Sequence, residues 1–267
     1  MSRPALAIHG GAGTILRSAM TAELEAEYRA GLESALTDGW AILKNGGSSL
    51  DAVEAAVISL EDCPLFNAGR GSVFTHDGKN EMDAAIMDGS NLRAGAVAFV
   101  RNVKNPIKLA RLVMEKTEHV LVAGEGAIQF AEEMNIELAD NAYFFTEHRW
   151  KQLEEAIAAD RVQLDHQAEI YLGSVPSGIP QSAIRNPQSK GTVGAVACDW
   201  DGRLAAATST GGMTNKKFGR VGDTAIIGAG TYADETCAVS CTGHGEYFML
   251  GVTAHDLAAR MKYKDLS

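Results

Sequence analysis

At positions 191 and 192 a glycine and a threonine stand between two unlike stretches, polar NPQSK before them and apolar VGAVACDW after. A threonine that opens a buried strand behind an exposed segment can do one unusual piece of chemistry. If the Gly191–Thr192 bond were cut, Thr192 would carry a hydroxyl and an α-amine on one residue. An α-amine has a reference pKa of about 7.7–8.0, so near neutrality a useful fraction is unprotonated and can take the proton of its own hydroxyl. The same hydroxyl could make the cut by attacking the Gly191 carbonyl, giving an ester that water opens. Gly191 suits this, because glycine tolerates strained backbone angles. A Gly-Thr pair is also what an ordinary strand start looks like, so companion residues must decide.

The companions form an ordered set: GTVGAV at 191–196, TSTGGMTNK at 208–216, GRVGD at 219–223, GAGTYAD at 228–234 and SCTGHGE at 240–246. Upstream stand HGGAG at 9–13 and PLFNAGRGSVFTHDGKNEMDAAIMDG at 64–89. Together they resemble the plant-type asparaginase and isoaspartyl peptidase family of N-terminal-nucleophile hydrolases, along nearly the whole chain except a linker at about 161–190.

The resemblance implies an α+β fold, a four-layer αββα sandwich. It implies Thr192 as nucleophile, freed by autoproteolysis after Gly191, with residues 1–191 and 192–267 as the two subunits of one domain. Thr210 would orient Thr192, Thr242 and the Gly243 N–H would form the oxyanion hole, and Asn67 would assist through its polar shell. A donor aimed at developing negative charge is worth roughly 10²–10³ in rate. Arg220 would take a substrate α-carboxylate, with Asp223 and the Gly245 carbonyl taking the α-ammonium. Arginine fits a carboxylate with two prongs and an aspartate three positions on offers the opposite charge, so the pair describes an amino-acid backbone. The reacting centre would be the side-chain carbonyl of L-asparagine or of a β-aspartyl dipeptide. Each residue also has a plain reading: Arg220 and Asp223 as a surface ion pair, Thr210 and Thr242 as sheet residues, the glycines as turn formers, and His9 as a hydrogen-bonded histidine under a glycine loop.

Further implications concern the ion, the substrate branch and the assembly. The carbonyls of Leu60, Glu61, Cys63, Phe66, Ala68 and Arg70 would hold a structural sodium ion, against the alternative of a loop stabilised by its own hydrogen bonds; no cofactor is expected for catalysis. Gly191, where glycosylasparaginases carry aspartate, favours unglycosylated substrates. The assembly would be a dimer of cleaved heterodimers. Family chains continue with a Gly-rich strand pair beyond the last helix, whereas this chain stops at Ser267, so the sandwich is expected to lack those strands. A truncated, inactive relative serving as a scaffold or binding protein is the alternative.

The elements that must position these residues can be read from periodicity and punctuation. Ala5 to Ile8 reads as a short buried strand, Thr21 to Asn45 as a helix ended by Gly46 and Gly47, and Ser48 or Ser49 as the cap of a second helix burying Val53, Ala56, Val57 and Leu60. SVFTHDGKN, MDAAIMDG and LRAGAVAFV read as a strand meander; Asn105-Pro106 opens a helix, HVLVAG is a strand, and 125–134, 146–159 and 246–262 read as helices. Three of the six prolines crowd into 176–187, marking a long loop. TVGAVACDWDGRLAAATSTGG reads as a hairpin turning at Asp201-Gly202.

Composition sets limits. The 267 residues are 46% hydrophobic with a net charge of -10; this supports a packed core and disfavours nucleic acid or anionic lipid as partner. Cys63, Cys198, Cys237 and Cys241 show neither a paired framework nor metal-site spacing, so reduced, mostly buried thiols are expected. The start MSRPALAIHGG carries no apolar leader, and no apolar run reaches about 18 residues, so a cytoplasmic location without membrane contact is the expectation. HGGAG after a strand also resembles an α/β-hydrolase oxyanion loop, but the required GxSxG elbow does not occur; nor does a dinucleotide or Walker pattern.

Overall fold

The computed structural model describes residues 3–12, 20–160, 162 and 191–264. Helices and strands mix around a six-stranded sheet of order β1-β5-β6-β2-β3-β4 and a two-stranded ribbon β7-β8. The large sheet is built from β1 (Ala5–His9), β2 (Met82–Asp88), β3 (Arg93–Val100), β4 (Leu121–Ala123), β5 (Val193–Cys198) and β6 (Leu204–Thr210). The ribbon is β7 (Thr231–Ala233) with β8 (Ala238–Ser240).

One face of the sheet is covered by α1 (Ala22–Lys44), α2 (Ser49–Asp62) and α3 (Pro106–Lys116). Thr21 caps α1 by accepting from the Leu24 N–H, and Ser48, not Ser49, caps α2 by accepting from Asp51. Ser49 instead lies buried, its N–H on the Asp199 carboxylate. The α2 stripe Val53, Ala56, Val57 and Leu60 is fully buried against the sheet residues Ala84, Ile86, Val193, Ala195 and Ala207. Burying a valine or leucine side chain contributes roughly 1.5–3 kcal/mol, so this stripe anchors α2 behind β5 and β6. The opposite face carries β7 and β8, over Met87, Ala94 and Ala206, and outside them α8 (Thr253–Lys264).

Several expectations are corrected. SVFTHDGKN forms one isolated bridge, Phe74–Asn80, around a turn and not a strand pair. Its main-chain groups are taken by side chains: Asn80 donates to the Ser72 carbonyl and Asn67 accepts from the Val73 N–H. β1 is only half-buried, because it is an edge strand. The last helix is two, α7 (Gly245–Gly251) and α8, broken where Val252 takes a left-handed conformation, φ 45°. Of the four free cysteines only Cys237 is buried. Short α4 (Gly124–Glu133), α5 (Asn141–Phe144) and α6 (Glu147–Ala158) follow β4. Nearly all of the proline-rich loop at 161–190, as well as Gly13, falls outside the described residues. Among the described residues no helix is long and apolar enough to cross a membrane.

Candidate active site

Register brings the chemistry together. β5 pairs with β6 through Val193↔Ser209 and Gly194↔Thr208, so one step beyond the ladder Thr192 comes opposite Thr210. The Thr192 hydroxyl lies 3.2 Å from Thr210 Oγ1, which also accepts the Gly212 N–H at 3.0 Å. Both threonines open onto a narrow cleft whose other end holds Arg220 and Asp223, with Gly243 and Gly245 in its wall. Six of the residues singled out in the sequence therefore share one cavity, although as many as 53 positions separate them in the chain (192 to 245).

The Gly191–Thr192 bond is set in constrained backbone. Gly191 has φ 139° and Gly11, in the HGGAG loop, has φ 114°, both values that a side chain disfavours. The two glycines touch: a Cβ on Gly11 would stand 2.9 Å from the Gly191 nitrogen. The described part of the HGGAG motif, His9 to Ala12, is thus packed against Gly191. The next residue, Ala12, donates its N–H to Thr242 Oγ1 at 3.1 Å, which ties the loop to Thr242 as well.

Asn67 stands on the Thr210 side of the cleft. Its amide donates to the Gly212 carbonyl at 2.8 Å and accepts from Val73, while its own carbonyl accepts from Gly211. It holds the strand-to-loop exit from β6 in place. Cys241, beside Thr242, has its thiol pushed up to about 11 by burial and by Asp223, so it stays protonated and a poor nucleophile near neutrality.

The far end is charged. Arg220 Nε and Nη2 donate to the two carboxylate oxygens of Glu246, each at 3.0 Å, so the Arg220 partner in the structure is Glu246. Arg220 Nη1 lies toward Gly212 and Gly222. Asp223 is 5% exposed and its Oδ2 has no hydrogen-bond partner. Burial lifts its pKa to about 6, against the lowering field of Arg220. For Glu246, burial opposes ionisation, but the charge and hydrogen bond of Arg220, a backbone hydrogen bond and the field of His244 together outweigh it, and the carboxyl lies below its ordinary value. The motif SCTGHGE gives Glu246 no task of its own, because a separation of 26 positions from Arg220 leaves no local signal.

The Leu60–Arg70 turn, which carries Asn67 to the cleft, runs from the end of α2 into a short 3₁₀ turn at Gly69–Gly71. The carbonyls of Leu60, Cys63, Phe66 and Ala68 each accept one bond from within the turn, which leaves each a second lone pair. The Gly69 backbone fits against the Glu61 carbonyl where a Cβ would collide. Sequence reading missed what lies beneath: Arg149 of α6 is buried, with Nε on the Gly71 carbonyl at 2.9 Å and Nη2 on Leu65 at 3.3 Å. In a helix that otherwise reads as polar, an arginine gives no hint of inward aim. The Glu61 side chain is also buried, accepting from Ser209 Oγ at 2.6 Å and the Ile107 N–H, and burial pushes its pKa up to about 8.

A threonine just before a central strand, hydroxyl-bonded to a second threonine, thus shares a glycine-walled cleft with a guanidinium and a buried carboxylate. Comparison with known proteins is specific. The asparaginase family model matches residues 2–267. The isoaspartyl peptidase of Salmonella typhimurium is 49% identical over 100% of this chain and 82% of its own length. The isoaspartyl peptidase/L-asparaginase of Xenopus laevis is 48% identical over 97% of this chain and 76% of its own. The plant-type L-asparaginase of Pyrococcus furiosus is 51% identical over 91% of this chain and 74% of its own. The chain belongs to the asparaginase family.

Proposed function

We propose that the protein is an autoprocessed amidohydrolase that releases ammonia from L-asparagine and cleaves β-aspartyl dipeptides, with Thr192 as an N-terminal threonine nucleophile. The observation that carries this reading is the Thr192–Thr210 hydroxyl pair beside a positive-φ Gly191, in the cleft that also holds Arg220 and Asp223. In maturation, Thr192 Oγ1 attacks the Gly191 carbonyl carbon and the peptide nitrogen leaves, giving an ester. Water then hydrolyses the ester, ending residues 1–191 in a carboxylate and beginning residues 192–267 with a free amine.

In turnover the α-amine accepts the hydroxyl proton as Oγ1 attacks the side-chain carbonyl of the aspartyl group. Negative charge developing on that carbonyl oxygen is met by the Thr242 hydroxyl and the Gly243 N–H, while Thr210 holds Oγ1 in line. The ammonium formed at Thr192 returns its proton to the leaving nitrogen, and water hydrolyses the aspartyl ester. Recognition is by charge: the α-carboxylate meets the guanidinium on its Nη1 side, with Glu246 holding the other edge, and the α-ammonium meets Asp223 and the Gly245 carbonyl.

The αββα sandwich belongs to the same reading, supported by the order in which α1–α3, the large sheet, the ribbon and α8 pack. A sodium ion suits the carbonyl-only donor set of the Leu60–Arg70 turn, where it would fix the loop beside α2 and take no part in the reaction. Assembly as a dimer of cleaved heterodimers would cover apolar side chains such as Trp40 and Leu250, which are 41% and 84% exposed. The deciding experiment is intact mass spectrometry with an ammonia-release assay: a fragment beginning at Thr192 is expected, and Thr192→Ala should lose both cleavage and turnover. A fully active sample that stays one chain would overturn the reading.

A further inference from the structure

The mechanism above makes no use of His9, yet this side chain sits closer to Thr192 than its place at the end of an edge strand demands. Its Nδ1 lies 3.1 Å from the Thr192 carbonyl oxygen and its Nε2 lies 2.9 Å from Ser240 Oγ. A carbonyl only accepts, so Nδ1 carries the hydrogen and, in the neutral ring, Nε2 accepts from the Ser240 hydroxyl. Ser240 Oγ then accepts from Thr208 Oγ1 at 2.7 Å, and Thr208 Oγ1 lies 2.8 Å from Thr231 Oγ1, whose single hydrogen is shared with the Thr224 carbonyl at 3.0 Å. The Thr192 carbonyl fixes which imidazole nitrogen holds the proton, and the hydroxyls of Ser240 in β8 and Thr208 in β6 are arranged to suit that tautomer. Burial draws the His9 pKa down to about 4, which keeps the ring neutral at ordinary pH.

The fold has made room for this arrangement. His9 is paired in register with Gly194, and its ring passes over that residue to reach Ser240. A Cβ on Gly194 would collide with Ser240 Oγ and stand 2.5 Å from His9 Nε2. The same geometry shows that His9 is not the base: one nitrogen is committed to a main-chain carbonyl and the other to Ser240.

We propose that His9 is a positioning residue for the nucleophile, its Nδ1–H clamping the Thr192 carbonyl while the Ser240 hydroxyl, backed by Thr208, orients the imidazole. The proposal rests on Thr192 being the nucleophile. Thr192 lies one residue outside the β5 ladder, whose first pair with β6 is Val193↔Ser209. Once the bond to Gly191 is cut, Thr192 is a chain end, and chain ends fray unless tied down. Its carbonyl is then the main-chain group through which the residue can be held, and the hold decides where the hydroxyl and the new amine point.

The test compares His9→Leu, His9→Asn and Thr192→Ala, with kcat expressed per Thr192 end counted by intact mass and folding checked by thermal unfolding. Asparagine places its side-chain N–H close to where Nδ1 stands and so keeps the clamp. His9→Leu is expected to lower kcat by roughly 10²-fold, the scale of a misplaced reacting group, with KM within about threefold because the charged end is untouched. His9→Asn should recover most of that loss. If His9→Leu does not fold or mature, Ser240→Ala keeps the ring and removes only its orienting partner, and a roughly threefold to tenfold drop in kcat at constant KM is expected. Wild-type kcat in His9→Leu, equal losses in the Leu and Asn variants, or an effect on KM alone would overturn the proposal. Turnover surviving in Thr192→Ala would instead overturn the nucleophile assignment and is read separately.

Discussion

The two ends of the cleft are held by different forces. At the Thr192 end the hydrogen bonds join neutral partners, hydroxyls, amides, main-chain groups and the His9 imidazole: Thr192 to Thr210 and His9, Thr210 to Gly212, Thr242 to Ala12, Asn67 to Gly212 and Val73. At the Arg220 end the ties are ionic, with Glu246 orienting the guanidinium and Asp223 buried beside it. Neutral bonds between paired strands are short-ranged and direction-dependent, which suits a group that must point along one line. A charged clamp works at longer range and suits a substrate arriving from water. The division predicts that damage at the first end appears in kcat and damage at the second in KM.

The largest expected effect after removal of the nucleophile itself is at Thr242. Thr242→Val keeps the shape and deletes the hydroxyl, and steady-state assays should show kcat down by about 10²–10³-fold. A change in KM alone would blur the division between the ends. Next is Arg220→Lys, which keeps the charge but loses the planar two-pronged fit. KM for L-asparagine should rise by roughly 10-fold or more, with a smaller change in kcat.

Asp223 offers a pH reading of the same end. Its carboxyl must be ionised to meet an ammonium, so kcat/KM should fall as pH drops through about 6, and Asp223→Asn should lower activity and flatten that limb. The linkage has the opposite sign for stability. A carboxyl whose folded pKa is raised is protonated more readily in the folded than in the unfolded chain, so stability declines as pH rises from the unfolded value toward about 6 and is flat above. Denaturant midpoints at neutral pH should therefore be higher for Asp223→Asn than for the wild type, an exchange of stability for a charged binding site.

Glu61, outside the cleft, gives the smallest effect on activity and a control for that logic. Burial raises its pKa to about 8, so its stability cost grows between the unfolded value and about pH 8. Glu61→Gln should remove this slope from urea midpoints measured between pH 5 and 9 while leaving KM for L-asparagine unchanged. A persistent slope would place the titration on another group.

Much of this was legible in the chain. The hairpin around Asp201-Gly202, the capped helices α1 and α2 with their buried stripe, and α3 opened by Pro106 follow from local rules of periodicity and capping, which act within a few residues. The ribbon β7–β8 was not read as strands, because three residues are too few to show a period. The bridge at Phe74–Asn80 was over-read, because a strand-like alternation says nothing of side chains that will claim its backbone groups.

By itself the sequence determined the residue types for the reaction, their order along the chain, and the family they declare; these reside in local motifs. Only the tertiary structure decided that Arg220 is oriented by Glu246, that Asn67 serves the Gly211–Gly212 loop, that the HGGAG loop packs on Gly191, and that His9 grips the Thr192 carbonyl. The reason is physical: those ties join residues from 26 to 183 positions apart, and such pairs are set by strand register and burial, which no local pattern encodes.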